Sequence, residues 1–97
     1  MLNLISRKEI NIMINRIEKA LNNKETMYDF GGTTITPLNL RKFLEEHYCF
    51  RRVRGFLEED NVTYIEKYEG NWKNKNMYIN IHTDIELFYI EIVAGEM

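Results

Sequence analysis

The sequence predicts an α+β fold in which two helices pack on one face of a four-stranded antiparallel sheet. Three observations lead there. Two segments in the first half carry helix-start signals followed by apolar residues at helical spacing. After Cys49 the apolar period changes toward two, and turn-rich breaks then cut the chain into strands joined by short loops, the signature of an antiparallel meander. Ninety-seven residues suffice for one core and are too few for two, so 1–97 reads as a single domain. With 44% hydrophobic, 29% charged and 12% aromatic residues the composition is that of a folded globular protein.

Ser6 and Glu9 stand at the two positions of a capping box, and Ile5 and Ile10 at those of a hydrophobic staple, so a helix is expected to start at Arg7. Ile10, Ile14, Ile17 and Leu21, with Met13 beside them, form one apolar stripe that ends at Asn22 and Asn23, which sets the helix near 7–22. The stretch MYDFGGTTI suggests a small extra hairpin near 27–35, with Gly31 and Gly32 supplying the positive φ of a tight turn. Thr36 before Pro37 is an N-cap followed by proline at the first helical position, and Ile35 can staple to Leu40. In this second helix Leu40, Phe43, Leu44 and His47 share a face, Arg41, Lys42, Glu45 and Glu46 point away, and the end is expected near Tyr48. Cys49, between Tyr48 and Phe50, is expected to be a small reduced core residue.

Strands are expected at 49–57, 62–69, 76–82 and 85–93, separated by the breaks EEDN and EGNWKNKN. Taking Thr83 and Asp84 as the last turn pairs Tyr78 with Tyr89, Ile79 with Phe88 and Met77 with Ile90. Met77, Ile79, Phe88, Ile90 and Ile92 then face the helices. Tyr78, Asn80, His82, Tyr89, Glu91, Leu87 and Val93 project the other way. If Tyr64 and Tyr68 of the preceding strand join that second face, four tyrosines decorate an open sheet, a surface suited to half-dry contacts.

The charge is segregated along the chain. Residues 1–57 hold ten Lys or Arg against six Asp or Glu, and residues 58–97 hold three against nine, for an overall charge of −2. Within the basic half, Arg51, Arg52 and Arg54 crowd into four positions. On a regular strand Arg52 and Arg54 share one face and Arg51 takes the other, unless a bulge near Gly55 intervenes. The acidic half ends in Asp84, Glu86, Glu91 and Glu96 with no Lys or Arg after Lys75.

These features point away from several function classes. No apolar run reaches the roughly 18 residues of a membrane span and the N-terminus has no signal-peptide pattern, so a cytoplasmic location is expected. Two histidines and one cysteine at these spacings match no zinc motif, the glycines lack the lysine and helix start of a phosphate loop, and no nucleophile–base pair is marked, though Cys49 with His82 is the one conceivable couple. No cofactor, metal or catalytic role is therefore expected. The leading expectation is a small non-enzymatic protein–protein interaction module. Its acidic strands, through Asp84, Glu86 and Glu91, would face a basic groove, with Arg51, Arg52, Arg54, Trp72, Tyr78 and Tyr89 as further contact residues. Ile-, Asn- and Lys-rich composition is associated with AT-rich genomes, and small proteins of such build include phage- or mobile-element-encoded inhibitors of nucleic-acid-handling proteins such as CRISPR effectors. The alternative expectation is a nucleic-acid-binding accessory protein using the Arg51–Arg54 and Trp72–Lys75 regions, against which the acidic net charge weighs. Sheet edges leave a homodimer open.

Overall fold

The computed structural model describes residues 6–97. Helix α1 (Arg7–Asn22) starts at the capping box, where Ser6 Oγ accepts from the Glu9 amide at 3.2 Å and the Glu9 carboxylate accepts from the Ser6 amide at 3.1 Å. Ile5, the expected staple partner, lies outside the described residues. The buried stripe is Met13, Ile17, Ala20 and Leu21, with Ile10 and Ile14 half-buried at its margin, so the helix is rolled slightly from the expected Ile10–Ile14 line. Helix α2 (Pro37–Glu46) is capped by Thr36, and Asn39 takes the reciprocal place usually held by Glu or Gln. It buries Leu40, Phe43 and Leu44.

Among the described residues five strands, not four, form one antiparallel sheet: β1 (Tyr28–Asp29), β2 (Arg51–Leu57), β3 (Thr63–Trp72), β4 (Lys75–Asp84) and β5 (Tyr89–Glu96), in the order β1-β5-β4-β3-β2. The expected hairpin at 27–35 does not form. Instead Tyr28 and Asp29 pair with Ile92 and Glu91 of β5, while Asp29 Oδ1 accepts the Gly31 amide at 2.9 Å and Gly32, at φ 76°, turns the chain onward to α2. The edge of β5 was a better partner than the chain's own next residues because it closes the sheet beneath α1.

The expected break at 69–76 is also shorter than the sequence suggested. Strands β3 and β4 run on to Trp72 and Lys75, and only Lys73 and Asn74 turn, both with positive φ (50° and 65°), as a two-residue type I′ hairpin demands. This fixes the register: Tyr64, Glu66 and Tyr68 lie opposite Thr83, Ile81 and Ile79, on the face that the helices cover. Tyr68 is fully buried, so the four-tyrosine open face does not exist; it carries only Tyr78 and Tyr89.

Strand β5 pairs six residues further along than expected, with Asp84 opposite Tyr89 and Tyr78 opposite Gly95. Because six is even, side-chain direction survived the slip. Met77, Ile79, Ile90 and Ile92 are buried under the helices as expected, together with Ile81 and Ala94, whereas Phe88 sits in the connecting loop and is 82% exposed. The core joins α1, α2 and the covered sheet face through Met13, Ile17, Leu40, Phe43, Phe50 and Tyr68. Among the described residues no helix is long and apolar enough to cross a membrane.

Candidate interaction surface

Strand β2 distributes the three arginines. The ladder is regular on either side of Val53, but Arg52 pairs with Tyr68 and Arg54 with Lys67, so Val53 is bulged out. The expected bulge is two residues earlier than Gly55. It puts Arg52 on the helix-covered face and Arg51 and Arg54 on the open one. Arg52 Nε donates to Glu66 Oε2 at 3.1 Å and its Nη2 to Tyr64 Oη at 2.9 Å. The same Glu66 oxygen accepts from Arg41 Nη2 at 2.6 Å, and Arg41 Nε donates to Tyr68 Oη at 3.2 Å. Arg41 was expected to point into solvent; it turns inward because a carboxylate almost wholly buried on β3 needs cationic donors. Arg52 is thus a structural residue. Arg51 Nη2 lies 3.9 Å from Glu69, and the Arg54 guanidinium rests 5.5 Å from the Phe56 ring centre.

Trp72 ends β3 packed against the core margin, with the Lys73 ammonium 4.4 Å above its ring. With Lys24, Lys75, Leu21 and Met77 it borders a cleft of about 220 Å³, and Lys24 and Lys75 both face Glu96 there. This end of the sheet is basic. Tyr78 lies across Gly95, where a Cβ would fall 2.5 Å from the phenolic oxygen, and Lys67 Nζ sits 5.1 Å from its ring centre. Tyr78 is therefore occupied by its own neighbours.

The opposite end of the sheet is acidic. It is built from two adjoining loops: 58–62 between β2 and β3, and 85–88 between β4 and β5, joined by the Ile85 amide donating to Val62 O at 2.8 Å. Asp60 accepts the amides of Val62 and Thr63 and the Thr63 hydroxyl, which hold its carboxyl below the usual carboxylate range. Asp84 Oδ1 accepts the amides of Glu86 and Leu87 at 3.0 and 2.9 Å. These two aspartates shape the loops. Glu58, Glu59 and Glu86 stand exposed beside them, and neither loop contains a Lys or Arg. From loop 85–88 project Leu87, 77% exposed, and Phe88, 82% exposed, flanked in the chain by the less exposed Ile85 and Tyr89. Glu58, Thr63, His82, Asp84, Tyr89 and Glu91 line a shallow cleft of about 350 Å³ on the open face next to this tip.

Of the residues singled out in the sequence, Asp84, Glu86, Glu91 and Tyr89 come together at this end. Arg51, Arg52, Arg54, Trp72 and Tyr78 do not join them. Leu87 was expected on the open sheet face and Phe88 in the core, not together on a loop, although Asp84 followed by four residues before the next alternating run was the available signal for a capped four-residue loop. Cys49, expected in the core, is exposed with φ 57°, because it serves as the corner between α2 and β2. His47, expected at the edge of the apolar face, is exposed and stacks on Phe43 at 4.7 Å. Cys49 and His82 are not brought together: His82 is level with Ile65 and Phe56, at the far end of β2 from Cys49. The buried atoms Asn80 Oδ1 and His82 Nε2 have no hydrogen-bond partner among the described residues. Among the described residues no group of three or more His, Cys, Asp or Glu side chains is placed to hold a metal ion. No family model, curated protein or solved structure matches this chain.

Proposed function

We infer that the protein is a non-enzymatic binding module whose acidic end docks into a basic groove of another protein, of the kind that otherwise holds nucleic acid, and blocks it. The observation that carries this reading is the pair Leu87 and Phe88, 77% and 82% exposed on a short loop that, like the adjoining loop 58–62, contains carboxylates and no Lys or Arg. Large apolar side chains gain nothing in water, and a loop pinned by Asp84 presents them in a fixed place. Apolar anchors ringed by one sign of charge suit a partner of the opposite sign: the carboxylates steer the encounter and the anchors hold the complex. A phosphate-binding groove has that sign.

The alternative of direct nucleic-acid binding is less well supported. Arg52 is engaged with Glu66, two of the four tyrosines that would stack bases, Tyr64 and Tyr68, are on the covered face, and Lys24 and Lys75 near Trp72 share Glu96. A cytoplasmic setting goes with the interaction reading, in which the lone Cys49 stays a reduced thiol.

The test compares the tagged protein with a Leu87→Ser/Phe88→Ser variant, which keeps the Asp84 turn, in capture from lysate of the source organism with and without nuclease. The expected result is a discrete nucleic-acid-handling protein that survives nuclease, weakens with added salt and is lost with the variant. Capture that needs intact nucleic acid, or that the variant leaves unchanged, would sink the reading.

A further inference from the structure

Strand β2 is the uncovered edge of the sheet, and its free side is complementary to itself. The Glu58 amide donates to Thr63 O at 2.8 Å, in register with the pairs Phe56 with Ile65 and Arg54 with Lys67. In an antiparallel ladder, inward- and outward-pointing backbone groups alternate. Residues 54, 56 and 58 thus direct theirs to β3, and the amides and carbonyls of Gly55 and Leu57 point away from the sheet with no strand beyond them among the described residues. An edge of this kind is a template for another strand unless it is blocked. Here 54–58 is regular, downstream of the bulge at Val53, and holds no proline.

We propose that two copies of this chain pair through β2, antiparallel about a two-fold axis at Phe56, to form one continuous ten-stranded sheet. The parity allows it. With Phe56 opposite Phe56 of the second copy, Gly55 faces Leu57, and these are the residues whose free groups point outward, so each Gly55–Leu57 pair exchanges its two hydrogen bonds. Phe56 then becomes a pair without backbone hydrogen bonds, the type in which side chains approach most closely, at a Cα separation of about 4.5 Å. Arg54 falls opposite Glu58 of the second copy, on the same open face as Phe56, and the symmetry makes this contact twice. Phe56 and Leu57, 42% and 46% exposed in the single chain, lose their exposure together. Any other register places arginine near arginine or moves Glu58 off its partner. The same charges that keep foreign strands from this edge therefore select a copy of itself.

Sedimentation equilibrium of the full chain from about 1 μM to 1 mM reads the association. The wild type is expected to dimerise. Arg54→Glu places two carboxylates opposite each other at both contacts, and Glu58→Arg places two guanidinium groups there. Each variant alone is expected to weaken the dimer roughly tenfold or more. Mixing the two variants restores one attractive pair at each contact, so a heterodimer is expected to return at wild-type concentrations. Neither change touches a hydrogen bond within the monomer, and circular dichroism checks that both fold. A wild type that stays monomeric throughout, a dimer indifferent to Arg54→Glu, or two variants that fail to associate when mixed would each overturn the proposal.

Discussion

Replacing Arg41 by Met should cost about 2 kcal/mol, an effect set by the surroundings of Glu66. The carboxylate is almost wholly buried between the helices and the sheet, with one oxygen taking Arg41 Nη2 at 2.6 Å and Arg52 Nε at 3.1 Å. A hydrogen bond to a charged group contributes about 1.5–3 kcal/mol net. Removing one partner of a fully buried ion pair costs about 3–5 kcal/mol. Two facts pull the value below that upper range: Arg52 still compensates Glu66, and both guanidinium-bearing side chains are a little over a third exposed, at 38% and 37%. Methionine also keeps most of the apolar stem of Arg41 in place. In a domain of this size about 2 kcal/mol lowers the melting temperature by roughly 10 °C. The decisive assay is a double-mutant cycle in urea with Arg41→Met, Glu66→Gln and the pair, from which a coupling of about 1–2 kcal/mol is expected. Arg52→Met should show the same pattern with a smaller loss. A coupling below about 0.3 kcal/mol would mean that Glu66 is satisfied without Arg41, and the inward turn of that side chain would need another cause.

Gly70→Ala places a Cβ 2.4 Å from Phe50 Cδ1, and since Phe50 is only 2% exposed its ring has nowhere to go; a loss of about 2 kcal/mol by urea denaturation is expected, partly recovered by Phe50→Leu. No loss would mean that the ring is free to shift. Cys49→Gly should raise stability by about 0.5–1 kcal/mol, because relief of a left-handed L-residue, about 1–2 kcal/mol, exceeds the extra chain entropy of glycine, about 0.4–1 kcal/mol. Calorimetry showing a lower melting temperature would contradict that balance. Burial, reinforced by the nearby Glu66 charge, pushes the Tyr68 phenol up to about 12. A raised acid favours the neutral form in the folded state, so its contribution is intact below the unfolded value near 10 and falls by about 1.4 kcal/mol per pH unit as the pH climbs toward 12. Tyr68→Phe should flatten the alkaline limb of stability against pH, and an unchanged limb would refute the assignment.

Both helices were legible because their signals are local: Ser6 with Glu9, Thr36 with Pro37, and apolar stripes that repeat every turn. The sheet was legible in its faces and not in its pairing. Side-chain direction depends only on odd or even position, so Ile79, Ile90 and Ile92 were assigned to the core under a β4–β5 register displaced by six residues. What failed needed distant information. Strand β1 is two residues long and earns its place through Ile92, more than sixty residues away, and Tyr64 and Tyr68 were oriented by a two-residue turn hidden in a polar stretch. The bulge at Val53 carries no marker in RRVR, yet it decides which arginine is buried against Glu66. The acidic residues of the candidate surface were visible in the composition of the second half. Their apolar companions were not: Phe88 reads as a core residue and Leu87 as one on the open face of a strand until the turn that puts both in a loop is placed.

The pairing of β1 with β5 has a consequence for synthesis. Helix α1 and β1 leave the ribosome before the rest of this sheet, but their sheet partner, β5, is encoded after the other four described strands. At about 5–20 residues per second, roughly 3 to 13 seconds separate Asp29 from Glu96. During that interval Met13, Ile17 and Leu21 have no β5 beneath them, and the nascent chain depends on chaperones or on the rapid growth of the β2–β3–β4 meander to avoid wrong partners.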